Sequence, residues 1–147
     1  LNNNRLPLLV VFCVLVTTAF SQAESLLLYA PAPFRAKVLG TAKRQRYVKF
    51  NPTLMDKLAI PGSQFDLSLF DGEQVTLQVD KTAISAGNSN SFVIHCSVPG
   101  KPLNQMVLAR ENAAFTATYH TDDGRQYQIG TVNGELHYLS EVDPDAV

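Results

Sequence analysis

The side chains able to do chemistry in this 147-residue chain are few: His95, His120, His137, and the two cysteines Cys13 and Cys96. A zinc-activated water needs two imidazoles one helical turn apart with a carboxylate between them, and no pair here has that spacing. The three histidines fall instead on three predicted strands, each on the face opposite the clearer apolar set, and would converge only if those strands were neighbours in the right register. Solvent-facing or hydrogen-bonded strand histidines are therefore the expectation. The serines form no Gly-x-Ser-x-Gly elbow. Cys96 follows His95 directly, and in a strand adjacent side chains leave on opposite faces, so the two cannot pair as nucleophile and base. Carboxylates gather at Asp71 and Glu73, at Asp122-Asp123 and at Glu141, Asp143 and Asp145, all at turns or at the chain end, without the dense Asp/Asn spacing of a calcium loop. The sequence thus predicts no catalytic residue, no cofactor-binding residue and no metal ligand set in this chain. No glycine-rich phosphate loop or basic, aromatic patch is present, and a net charge of -1 gives no pull toward nucleic acid.

Ahead of these residues lies a leader. Residues 6–20 are almost wholly apolar, Arg5 precedes them, and Ser21-Gln22-Ala23 follows with small residues where a signal peptidase reads. The expectation is a signal peptide over 1–23, cut between Ala23 and Glu24, and hence an exported protein, periplasmic or secreted, with no membrane attachment after cleavage. The bland alternative, a membrane anchor, needs about 20 apolar residues to cross a bilayer core. Cleavage removes Cys13 and leaves Cys96 as the single thiol, so no disulfide can staple the remainder and its stability must come from a core. The opening Leu1 and the linker-like residues 143–147 suggest a piece of a longer reading frame.

The elements that position these side chains are mostly strands. Residues 24–46, with Ala30-Pro31-Ala32-Pro33 and the basic run Lys43-Arg44-Gln45-Arg46, read as a loosely ordered lead-in whose cations guard a strand edge or mark a processing site. One short helix is expected where Asn51 can cap, Pro52 fits the first turn, Leu54 and Leu58 share a face and Pro61-Gly62 stops it. Phe65, Leu67 and Leu69, then Asp71-Gly72, then Val75, Leu77 and Val79 make a hairpin. Turn signals recur at 86–88, 99–100, 111–112, 123–124 and 133–134, bounding strands one face of which carries Phe92, Ile94, Cys96 and Val98, and later Ala113, Phe115, Ala117 and Tyr119. The fold class is mostly β: an antiparallel meander or sandwich-like domain with one short helix over 47–143, and a linker beginning at 144–147.

Five segments in this order carry a resemblance: Leu69-Phe70-Asp71-Gly72 with Val75, Ser91-Phe92-Val93, Gly100-Lys101-Pro102, residues 123–129 and residues 134–143. Together they make residues 47–143 similar to the amino-terminal pro-region of secreted bacterial reprolysin-like zinc metallopeptidases of the metzincin group. Phe92 stands where that pattern has tryptophan, and Ile94 where it has glycine. The resemblance implies a non-catalytic propeptide that assists folding of its own downstream metallopeptidase domain and keeps the zymogen latent by covering its cleft. Zinc would belong to that downstream domain, and this chain would hold no cofactor. It also suggests a role for Cys96, since His95-Cys96-Ser97-Val98-Pro99 looks like the switch by which some metzincin pro-regions place a zinc-masking thiolate. Against that role, Cys96 shares a strand face with Phe92, Ile94 and Val98, which favours a buried small hydrophobe. Without a downstream domain, the competing expectation is a free-standing exported β module that binds a protein or glycan.

Overall fold

Alternating apolar residues bounded by turn residues become strands because a pleated strand sends every second side chain to the same face. The computed structural model describes residues 24–146, so the expected leader, residues 1–23 including Ala23, lies outside it. The strands are β1 (Leu27–Ala30), β2 (Ala42–Phe50), β3 (Gln64–Ser68), β4 (Gln74–Ser85), β5 (Asn88–Val98), β6 (Lys101–Glu111), β7 (Ala114–His120), β8 (Gln126–Asn133) and β9 (Leu136–Val142). They form one nine-stranded sheet in the order β1-β2-β9-β8-β7-β6-β5-β4-β3, every neighbouring pair antiparallel.

The sheet closes nearly into a barrel. The two outer strands meet at a parallel bridge between Ser25 and Asp66, where Leu26 N–H donates to the Asp66 carbonyl at 2.7 Å and Asp66 N–H to the Glu24 carbonyl at 3.2 Å. Asp66 is itself buried, its carboxylate accepting from Gln74 Nε2 at 2.6 Å and Thr76 Oγ1 at 2.7 Å. The inner face is one continuous core in which Val48, Phe65, Leu77, Ile94, Met106, Leu108, Tyr127 and Leu139 are all nearly inaccessible.

Between β2 and β3 the chain crosses one end of the barrel through α1 (Pro52–Met55) and a single 3-10 turn over Lys57–Ala59. Asn51 caps α1 by accepting from Thr53 N–H at 3.1 Å, Pro52 occupies its first turn, and Leu54 and Leu58 drop into the core.

Two features differ from the sequence reading. The segment 24–46 holds β1 and the first half of β2, because Arg44 and Arg46 face inward and find partners there. Arg44 Nε donates to Glu141 and its Nη2 to Glu73, both at 2.5 Å, while Arg46 Nη2 donates to the Ser68 carbonyl at 2.6 Å. The Asp71-Gly72 turn belongs to a longer loop, with Leu69 N–H donating to Glu73 O at 2.9 Å and Glu73 N–H to Phe70 O at 2.8 Å. Phe70 leaves the ladder because its ring lies under the Arg44 guanidinium, 4.1 Å from its centroid.

Around Arg44 the charges form a network. Burial works against the Arg44 charge, but its hydrogen bonds to Glu73 and Glu141 outweigh that and hold its pKa above the ordinary value. Arg125 Nη1 donates to Tyr127 Oη at 3.0 Å, and Tyr127 Oη donates to Glu73 at 3.3 Å. Removing the Arg44 side chain leaves the buried Glu141 carboxylate with only Lys43, 3.9 Å away. Arg44→Ala should therefore lower unfolding free energy by about 2 kcal/mol, less than for a fully buried pair because the guanidinium is part-exposed. Urea titration checks this, and Arg44→Met with Glu141→Leu should recover most of the loss.

Candidate functional site at the mouth of the barrel

At the end of the barrel opposite the Arg44 network, β2 finishes at Phe50, β6 turns into β7 at Asn112 and Ala113, and β8 turns into β9 at Gly134 and Glu135. Asn112 takes a left-handed conformation, φ 56°, which asparagine tolerates and which keeps this turn tight. These turns, with the start of β1 and α1, enclose a cavity of about 440 Å³ with Leu28, Phe50, Pro52, Met55 and Phe115 as its apolar wall. Such a volume is at the small end of the range in which proteins hold small ligands.

His137 lies in the wall of this cavity. It is 1% exposed, and it sits edge-on to Phe50, centroids 4.8 Å apart, and to Phe115, 5.7 Å apart. Its Nδ1 is 2.9 Å from the Glu135 carbonyl, and its Nε2 is buried with no hydrogen-bond partner among the described residues. Burial pushes the imidazole below its ordinary pKa, against the opposing effect of the Glu135 hydrogen bond. Lys49 on β2, Arg110 on β6 and Glu135 ahead of β9 are the charged groups in the lining. Arg110 is held rather than free to swing, its Nε donating to Asn112 O at 2.7 Å and its guanidinium 5.2 Å from the Phe115 ring centroid.

His137 thus departs from the outward placement the sequence suggested. Alternation sets Leu136, Tyr138 and Val142 on one face of its strand and His137, Leu139 and Glu141 on the other, and so points to the wrong face as the inner one. Pairing decides: His137 lies opposite Val48 and Thr131, and Leu139 opposite Arg46 and Ile129, so this set faces inward. The readable signal was Gly130, which pairs with Tyr138 and leaves room for its ring on the outer face. His95 and His120 are exposed on β5 and β7, and the three histidines do not converge. Among the described residues, no three His, Cys, Asp or Glu side chains are grouped so as to hold a metal ion.

The turn carboxylates are engaged locally. Asp123 accepts from Thr121 and Arg125, while Glu73 and Glu141 belong to the Arg44 network. Cys96 is 2% exposed in the core, and burial, with Asp80 adding to it, pushes its thiol up to about 12. A wider, more open groove of about 590 Å³ lies where β4 and β6 end and β5 begins, but Asn88 and Ser91 in its lining satisfy each other at 3.0 Å, and among the described residues no unpartnered buried polar atom lines it.

With this geometry in place the fold can be compared with known proteins. No protein-family model matches the chain, and no curated protein matches it. A chain from a solved structure described as "Structure of a chaperone-substrate complex" is similar in fold, with a TM-score of 0.57 and 10% sequence identity over 80% of this chain and 89% of that one. At that identity the likeness concerns the fold alone.

Two measurements probe the placement of Cys96 and His137. In the native protein Cys96 should react with a thiol reagent on the order of a hundredfold more slowly than in urea, since a buried thiol is both protonated and shielded. For His137, whose folded pKa is lowered from 6.5, the unfolded chain takes up the proton first. Its contribution to stability is therefore present above about 6.5, falls as pH drops below that value and levels off once the folded pKa is passed. Lys49, Arg110 and Glu135 are the charged groups that share its cavity, and His137→Phe should flatten this part of the stability-against-pH curve.

Proposed function

We propose that this chain is a non-catalytic binding module that receives an apolar group in the mouth of its barrel. The observation that carries the reading is a cavity of about 440 Å³ walled by Phe50, Phe115, Met55 and Leu28, with His137, whose Nε2 is buried and unpartnered, among its lining residues. A concave apolar site with a few placed polar groups is what small-molecule recognition requires. A nearly closed sheet of paired strands supplies a frame for it.

The propeptide reading belongs to the same proposal at a finer level and rests on the order of the five sequence segments. In that form the module leaves the cell behind its leader and rides ahead of a zinc metallopeptidase. The mouth then docks an apolar segment of the protease, and latency comes from steric cover. Cys96, 2% exposed, argues for cover rather than for a thiolate laid on zinc.

Titration with the apolar fluorophore N-phenyl-1-naphthylamine should give saturable emission with one site per chain. Ala113→Trp, at an exposed rim position, should weaken that binding by about tenfold or more while leaving the far-ultraviolet circular dichroism unchanged. Emission that never saturates, or that ignores Ala113→Trp, would sink the mouth as a site. For the finer reading, residues 24–147 in excess should inhibit the mature protease encoded downstream in the same frame, and a frame that stops shortly after Val147 would end it.

A further inference from the structure

Resting on the mouth as a binding site, the geometry points to its ligand class: a small, uncharged apolar molecule that carries a hydroxyl group, a phenol or alcohol, and donates that proton to His137 Nε2. The argument begins at the other ring nitrogen. A backbone carbonyl can only accept, so the 2.9 Å contact between Nδ1 and the Glu135 oxygen places the hydrogen on Nδ1. In the neutral ring Nε2 then holds a lone pair and can only accept. Burial keeps the ring in its neutral form by lowering its affinity for a proton.

That lone pair is buried and finds no donor among the described residues. Lys49 and Arg110 line the same cavity, but neither donates to it, and Arg110 is tied to Asn112 and laid against Phe92 and Phe115. An unsatisfied acceptor in an apolar wall is costly to carry and selects for a ligand that brings a donor. The remaining wall sets the rest of the molecule. Phe50 and Phe115 lie 4.5 Å apart, stacked, with His137 edge-on to both, which presents flat apolar surface suited to an aromatic or branched aliphatic body. A ligand carboxylate would bring a second acceptor to Nε2 and would require the buried ring to ionise, which the site disfavours.

The experiment compares para-pentylphenol with para-pentyltoluene in displacing N-phenyl-1-naphthylamine at neutral pH. The two probes are nearly the same size and shape, with a methyl group in place of the hydroxyl donor. The phenol should displace the fluorophore at about tenfold lower concentration or less, since a site built to pair a donor discriminates against the analogue without one. His137→Phe should bring the two probes together by weakening the phenol alone. Because that variant is in the core and could fail to fold, nitrogen-15 NMR of the unaltered protein gives a second reading. His137 Nε2 should resonate as an unprotonated nitrogen and shift upfield when the phenol saturates the site.

Equal displacement by both probes would overturn the donor assignment while leaving the mouth as an apolar site. So would an Nε2 that is protonated in the free protein or indifferent to the phenol. Failure of the fluorophore and both probes to bind at all would remove the binding site itself, and the inference with it.

Discussion

Everything in this protein depends on where a nine-stranded sheet can close. A sheet with one apolar face must cover that face, and with only one short α-helix among the described residues to pack on it the sheet has to curve onto itself. From β3 to β9 each strand pairs with its successor through a short connection. The two remaining strands decide whether the ring is complete. β2 pairs with the last strand and β1 with β2, leaving a single parallel seam between the approach to β1 and β3. The seam is short, and the buried Asp66 that anchors it needs Gln74 and Thr76 to satisfy its carboxylate.

Past the end of β1 no strand remains to bridge β2 and β3, and arginines take over. Arg46 reaches the Ser68 carbonyl and Arg44 reaches Glu73, so two side chains from β2 span the gap that a longer β1 would have filled. The charges are tolerable there because the loop 69–73 brings Glu73 and Phe70 over them and β9 contributes Glu141. The desolvation that Arg44 suffers is met by two carboxylates, whereas Arg46, whose pKa burial lowers, has only the more distant charge of Asp71 to offset it.

This division explains what could be read from sequence. The strands after residue 63 and their turns were legible because each is specified locally, by alternation and by Gly, Asn or Asp at the reversal. The helix was legible from Asn51, Pro52 and Leu54 for the same reason. Residues 24–46 were not, because the run Lys43-Arg44-Gln45-Arg46 looks like a solvated edge until Glu73 and Glu141, distant in sequence, are placed beside it. The inward face of β9 was misread because Leu136, Tyr138 and Val142 make the more apolar set, and only its register against β2 and β8 places His137 and Leu139 inside. The mouth was invisible for that reason, since it exists only once Phe50, Phe115 and His137 meet from three separate strands.

Each end of the barrel carries one buried nitrogen without a partner among the described residues, Arg46 Nε at one and His137 Nε2 at the other, but the two sit in different surroundings. At the Arg44 end, Glu73, Glu141 and the Tyr127 hydroxyl each have a partner within hydrogen-bonding distance, the arrangement a buried polar cluster needs if it is to support the fold. At the mouth, the Val48 and Leu139 that flank His137 on the same inner face need no polar neighbour, and an apolar side chain in place of the imidazole would continue that wall without an acceptor to satisfy. The closure of the sheet therefore does not call for Nε2, and the packing around it gains nothing from it. What sets His137 apart from Arg46 is its place in the lining of an apolar cavity, and the proposed binding role rests on that place rather than on the missing partner alone.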